Sequence, residues 1–203
     1  MKKFILFLLF FIGAGCITQE PIPDSKLTEE DITPLDDFFV MDIGFRLQID
    51  VEEWTLKVTG MVNTPLELTY QDILSYPSHT QITHLYCMPG FEGVGKWTGV
   101  PVKILLEEAG YSPDTVHVVF YAKDGFSSSI PLEKALQEDT ILAYEMNDVT
   151  LPQIHGFPLR LVVPGKVGYK WVKWIVKIEL VDYEYRGYWE SQGYSNEGDL
   201  FKT

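Results

Sequence analysis

Gln81-Ile82-Thr83-His84-Leu85-Tyr86-Cys87-Met88-Pro89-Gly90-Phe91-Glu92-Gly93-Val94-Gly95-Lys96-Trp97 is the stretch around which the chain is organised. Gln81 to Tyr86 reads as a strand, and Cys87 ends it. Pro89 and the glycines at 90, 93 and 95 then predict a loop to Trp97, since Gly admits positive φ and close backbone approach. A cysteine at a strand end, facing such a loop, is placed to project a thiolate into a cavity. The competing reading is a small buried hydrophobe. No second cysteine stands at C-x-x-C spacing, and His79 and His84 make no zinc pattern with Cys87. A Cys-His nucleophile pair stays open, with His84 or His155 as base.

Outward from this stretch the chain mixes strands with short helices. Trp54 to Thr59 alternates apolar and polar residues and predicts a strand ending at Gly60. Thr69 caps a helix over Tyr70 to Ser75, halted before Pro77. Pro101 to Ala109 reads as a helix stopped by Gly110. Thr115 to Ala122 is a β-branched, apolar run, hence a buried strand. Asp124-Gly125 is a turn, and Pro131 to Gln137 a short helix. Ile141 to Met146, Leu159 to Val163 and Ile175 to Asp182 complete the strands. Without regular alternation of the two element types, the pattern gives an α+β domain with a mixed sheet. Tyr183 to Thr203 carries Tyr185, Tyr188, Trp189 and Tyr194 with little periodicity. It is either a tail packed over the domain or part of a pocket wall.

The 203 residues suffice for one domain with a proper core. A net charge of −13 sets the protein against phosphate backbones and so excludes nucleic acid as a partner. Met1 to Cys16 follows the order of a secretory signal: Lys2-Lys3, the apolar run Phe4 to Ile12, then Gly13-Ala14-Gly15-Cys16. The apolar run is shorter than the roughly 20 residues a span needs. Its end resembles a lipobox, which predicts cleavage after residue 15 and a lipid on Cys16. Residues 16–35 are then a membrane tether, and 36–203 the folded domain of an exported lipoprotein. Cys87 would be the one free thiol of that protein, a liability in an oxidising compartment unless it is buried or bound to something.

Several segments together carry a family resemblance. Thr83 to Cys87 with Trp97-Thr98-Gly99-Val100-Pro101 resembles the cysteine region of the sulfite-oxidase-like molybdopterin domain. Leu142 to Asn147, Leu151 to Arg160, and Val163 to Trp174 resemble further segments of that domain in the same order. Gly187-Tyr188-Trp189 with Gly193-Tyr194 resembles its C-terminal signature. The resemblance covers about residues 36–198 and implies the molybdenum cofactor, molybdopterin, with Cys87 as the metal's protein ligand. A soft thiolate suits such a metal. The resemblance also implies that His155, Arg160 and Lys173 hold the pterin and its phosphate, and that Tyr144 lies near the metal. The alternative for Tyr144 is a buried strand residue. Arg160, Lys166, Lys170 and Lys173 form a basic cluster in an acidic chain, read as an anion site to which the Gly165 to Gly168 backbone adds donors.

One segment departs from the family pattern. Where sulfite oxidases carry Arg-Asn-His, this chain has Met41-Asp42-Ile43. An acid in that place repels sulfite. The chain also has no C-x-x-C-H haem motif, so electrons go to or come from a separate partner. The reading is an extracytoplasmic oxygen-atom-transfer enzyme acting on a small molecule that the sequence does not identify, with the acid counting against sulfite. The alternative is a cofactor-free lipoprotein that keeps the fold as a binding module.

Overall fold

A computed structural model of the chain describes residues 23–44, 47–88 and 90–200. Two sheets build the domain. The first has the order β2-β1-β10-β5-β6, from strands β1 (Thr55–Gly60), β2 (Leu66–Thr69), β5 (His117–Ala122), β6 (Ser127–Pro131) and β10 (Ile175–Val181). It is mixed, because β1 and β10 run parallel while every other neighbour is antiparallel. The second sheet runs β3-β4-β7-β8, from β3 (His79–Cys87), β4 (Phe91–Pro101), β7 (Ile141–Met146) and β8 (Val149–Thr150). Here β9 (Arg160–Val162) also pairs with β7. Three short helices connect them: α1 (Tyr70–Ser75), α2 (Val102–Ala109) and α3 (Leu132–Ala135). The α+β class with a mixed sheet is the one expected.

Local chemistry explains the helix bounds. Thr69 and Asp72 form a capping box that opens α1, each side chain taking the other residue's backbone N–H. In α2, Val102, Leu105, Leu106 and Ala109 lie on one buried face, and Gly110 ends the helix at φ 66°. One core runs through both sheets; Leu56, Leu106, Phe120, Leu142 and Ile178 are each fully buried in it. Trp54 is fixed there through Nε1, which donates to the Ile175 carbonyl at 3.0 Å.

The glycine-rich loop expected after Cys87 is instead the longest strand. β4 pairs with β3 from His79↔Gly99 to Cys87↔Phe91. The turn is short and closes with Gly90 N–H donating to the Cys87 carbonyl at 2.8 Å, Gly90 having φ 113°. The strand glycines serve close approach. A Cβ at Gly95 would sit 2.7 Å from the Trp97 ring, and one at Gly99 would sit 2.1 Å from the Leu142 carbonyl oxygen. The hairpin makes Cys87 the last paired residue of its strand, directly beside the turn.

Residues 24–33 are not a free tether. Asp24 accepts bonds from the Thr83 hydroxyl and from the His84 N–H. Thr33 N–H donates to the Val94 carbonyl at 2.9 Å, and Glu29 pairs with Lys96 at 2.9 Å. These contacts are polar and leave no apolar periodicity, so hydropathy patterning does not reveal them. The expected signal segment and Cys16 lie outside the described residues. Among the described residues no helix is long and apolar enough to cross a membrane.

Candidate active site

Cys87 opens onto a cavity of about 280 Å³. Its walls come from four parts of the chain: Met41 to Ile43, the Cys87-Met88 corner, Asp124 and Phe126 after β5, and the 168–173 turn. Trp189 and Tyr194 of the C-terminal segment complete it. An inner chamber of about 50 Å³ shares Met41, Cys87, Gly168, Trp171 and Lys173 with the main cavity and continues to His155 and Arg160. The structure thus brings Cys87, His155, Arg160, Gly168 and Lys173 to one place.

Each of these residues is held by its local backbone. Gly168 begins a short 3₁₀ turn over Gly168–Lys170 and lies against Cys87. A Cβ there would be 3.3 Å from Cys87 Sγ and 3.1 Å from the Tyr86 carbonyl oxygen. His155 ends the 3₁₀ turn Gln153–His155, and Gly156 follows at φ 118°. That Gly lets Arg160 and Lys173 close in, because a Cβ at 156 would lie 3.0 Å from the Cβ of each. Arg160 is 5% exposed, and its Nη1 donates to the His155 carbonyl at 3.1 Å. Its guanidinium lies 4.9 Å from the centroid of Trp97 and 6.0 Å from that of Trp171. Lys173 Nζ donates to the Ile154 carbonyl at 3.2 Å and lies 4.2 Å from the Trp174 ring centroid.

The electrostatics of the inner chamber are unusual. Arg160 forms no ion pair among the described residues, and its Nε, buried, has no hydrogen-bond partner there. Burial pulls its pKa down to about 9, opposed by the nearby Cys87 thiolate. Burial pushes the Cys87 thiol up, and Arg160 pulls it back. Burial, then Arg160 and Lys173, hold His155 down at about 4, so its ring is neutral at pH 7. A buried cation with an open donor, a thiol and a neutral His fit an anionic group that binds a soft metal. Arg160 and Lys173 are the residues whose charge suits the phosphate of such a group, and Cys87 is the soft donor beside them.

Three residues expected at the site stand elsewhere. Lys170 is fully buried but points away from the cavity. Its Nζ donates to Glu190 at 2.6 Å and to the Ser129 carbonyl at 2.9 Å. Lys166 likewise pairs with Asp199 at 2.5 Å. The basic cluster is thus half neutralised by acids from the C-terminal segment, far away in sequence. Tyr144 is buried in the core and lines neither chamber. It lies close enough to Tyr70 to help raise that phenol's pKa, after burial and Glu145. Of the candidate bases, His84 shares a bond with the Tyr86 hydroxyl at 2.8 Å and sits 3.7 Å from Glu92. His155, a cation beside it on either hand, is a poor base, and the Cys-His nucleophile reading loses its partner.

The aromatic shell was the part least visible in sequence. Trp97 and Trp171, edge-on to each other, both lie against the Arg160 guanidinium, and Phe38 packs edge-on to His155 at 5.6 Å between ring centroids. Trp97 and Trp171 stood in the family-like segments without a role of their own, and Phe38 had no signal beyond the high aromatic content, 14% of the chain. The C-terminal segment does form a pocket wall, the sharper of its two readings.

Comparison with known proteins agrees with this geometry. Residues 43–189 match the model of the oxidoreductase molybdopterin binding domain. The putative protein-methionine-sulfoxide reductase subunit YedZ1 of Azospira oryzae is 34% identical over 148 residues, covering 73% of this chain and 56% of that protein. The mitochondrial sulfite oxidase of Drosophila melanogaster is 34% identical over 200 residues, covering 85% of this chain and 35% of that protein. The sulfane dehydrogenase SoxCD from Paracoccus pantotrophus superposes with a TM-score of 0.72 at 29% identity, covering 77% of this chain and 45% of that one. The chain spans about a third to a little over half of these longer relatives. With the two-sheet fold, the cysteine-ended hairpin and the buried arginine behind it, these matches mean that the chain belongs to the oxidoreductase molybdopterin-binding domain family, the sulfite-oxidase-like class of molybdenum-cofactor-dependent oxidoreductases.

Proposed function

We propose that this domain is an extracytoplasmic oxygen-atom-transfer enzyme in which Cys87 ligates molybdenum and Arg160, Lys173 and His155 hold the pterin. The observation that carries the proposal is the buried Arg160, with an open Nε and no carboxylate partner among the described residues, behind a half-buried Cys87. When bound, the molybdenum cofactor supplies the two-electron chemistry. The residues of this chain bind and orient. Arg160 gives a planar fork to phosphate oxygens and favours the thiolate at Cys87. Neutral His155 adds a hydrogen-bonding group without further positive charge. Trp97 and Trp171 keep water from the guanidinium. Arg160→Ala should cut pterin content of the purified protein at least tenfold, read by fluorescence of the released and oxidised pterin. A single charge-assisted bond lost from a dry site accounts for that much. Unchanged pterin content would remove Arg160 from the cofactor site.

Sulfite is a poor candidate for the substrate, since Asp42 lines the cavity and stands where sulfite oxidases carry part of Arg-Asn-His. The same substitution favours the second reading, a binding module without cofactor. Molybdenum analysis of protein from a host that makes and loads the cofactor separates the two, and the enzyme reading predicts stoichiometric metal.

The export reading rests on the lipobox-like Gly13-Ala14-Gly15-Cys16. A lipid on Cys16 anchors the domain at the outer face of the cytoplasmic membrane, with a tether ending near Asp24, where docking begins. A separate electron-transfer partner then meets it there. Cys16→Ser should move the protein from the membrane fraction to the soluble one with an unchanged melting temperature. Retention after a salt wash would contradict the lipid anchor.

A further inference from the structure

We infer that the outer half of the Cys87 cavity is a cage for an organic cation, and that the substrate taken there carries a quaternary or protonated nitrogen beside its reacting group. The substrate half of this inference rests on the oxygen-transfer reading above; the binding half does not. The wall is a continuous run of rings. Tyr169 meets Tyr194 at 5.7 Å between centroids, and Tyr194 meets Trp189 at 5.2 Å. Trp189 meets Tyr188 at 5.2 Å, and Tyr188 meets Phe126 at 5.8 Å. Of these five, all but Tyr188 line the cavity. Neighbouring rings of the run are inclined at 44–85° to one another. Ring faces attract cations, and desolvation strengthens that attraction.

Two carboxylates supply the charge. Asp42 and Asp124 line the same cavity and are half-buried. Each spends one oxygen on a local N–H, Asp42 on Gly44 at 2.9 Å and Asp124 on Phe126 at 2.9 Å. Neither enters an ion pair among the described residues, unlike Glu190 and Asp199, which neutralise Lys170 and Lys166. Lys173 lines the cavity at the Cys87 end, where the anionic cofactor is bound in our reading. The cavity therefore holds two carboxylates with no ion-pair partner among the described residues, which a small sulfur oxyanion meets as repulsion and an organic cation as complement.

The test is calorimetric binding of three probes of one shape to the purified protein: choline, its neutral isostere 3,3-dimethylbutan-1-ol, and the anion 3,3-dimethylbutanoate. Choline should bind about tenfold or more tightly than the neutral alcohol, the difference a desolvated cation–π site makes, and the anion should not bind to cofactor-loaded protein, in which Arg160 and Lys173 are engaged. Asp42→Asn with Asp124→Asn keeps both local acceptors and should shrink that preference about tenfold while leaving the alcohol unchanged. Equal affinity for choline and the alcohol, or preference for the anion, overturns the cage. Molybdenum is assayed on the same sample. Cation preference in protein that never holds molybdenum would sink the enzyme reading and leave the cage. Molybdenum-loaded protein without cation preference would do the opposite.

Discussion

Cys87→Ser is expected to abolish thiolate-to-molybdenum absorption and turnover while leaving the fold and the pterin site in place. Serine is nearly isosteric with cysteine, so little cavity is left. Cys87 is half-buried, and its Sγ already bonds the Met88 carbonyl at 3.4 Å, a bond that a hydroxyl also makes. The stability cost should therefore stay at the low end of the roughly 1–3 kcal/mol for a poorly satisfied buried hydroxyl. Ligation is another matter. An alcohol is far less acidic than a thiol and harder as a donor, so it is a poor replacement at a soft site. Arg160, Lys173 and His155 are untouched by the change, and pterin should still be found. The combination of intact fold, retained pterin with its metal, and lost thiolate-to-metal absorption distinguishes ligation from packing. Unchanged spectrum and turnover in Cys87→Ser would contradict the site.

The second large effect concerns Lys170, two residues past Gly168. Lys170 and Glu190 are a buried pair, each side chain 0% exposed, 2.6 Å apart. Burial pulls the Lys170 pKa down while Glu190 holds it up. Ser128 donates to the same Glu190 oxygen at 2.5 Å, and the other oxygen, Oε2, has no partner among the described residues. Lys170→Ala strands Glu190 in the core with only the Ser128 bond. Such a loss costs about 3–5 kcal/mol, and denaturant unfolding should show it as a lower midpoint with unchanged slope. Lys170→Met with Glu190→Gln removes both charges and should recover most of that loss. A cost below about 1 kcal/mol for Lys170→Ala would mean that water reaches Glu190. Because Tyr169 and Trp171 flank Lys170, and Trp189 precedes Glu190, the pair also fastens two cavity walls together. Lys170 is thus a positioning residue for the site, in place of the cofactor contact expected of it.

What was legible in the sequence was local. The cap at Thr69, the stop at Gly110 and the run Ile141 to Met146 gave their elements with bounds within a residue or two of those observed. Cys87, His155, Arg160 and Lys173 were legible through family-like segments whose order survives in the chain, and the fold brings all four to one pocket. The misread parts share a physical cause, which is partnership at long range. Glycines 93 and 95 read as a loop because strand propensity penalises Gly. They are strand residues because Phe38 and Trp97 occupy the space a Cβ would fill. Lys166 and Lys170 read as anion ligands because their acids, Asp199 and Glu190, come from residues 33 and 20 positions away. Asp24 read as tether because its partners, Thr83 and His84, are 59 and 60 residues distant. None of these pairings leaves a periodic signal. Tyr144 followed the family segment in sequence, yet its side chain belongs to the core.

Molybdenum X-ray absorption on the purified protein, wild type beside Cys87→Ser, tests the central claim most directly. The wild type should show one more sulfur scatterer around the metal than the variant does, because the protein thiolate adds to the sulfurs of the pterin. Identical sulfur shells in the two proteins, or a wild type that takes up no molybdenum in a cofactor-replete host, would contradict the assignment of Cys87 as the metal's ligand.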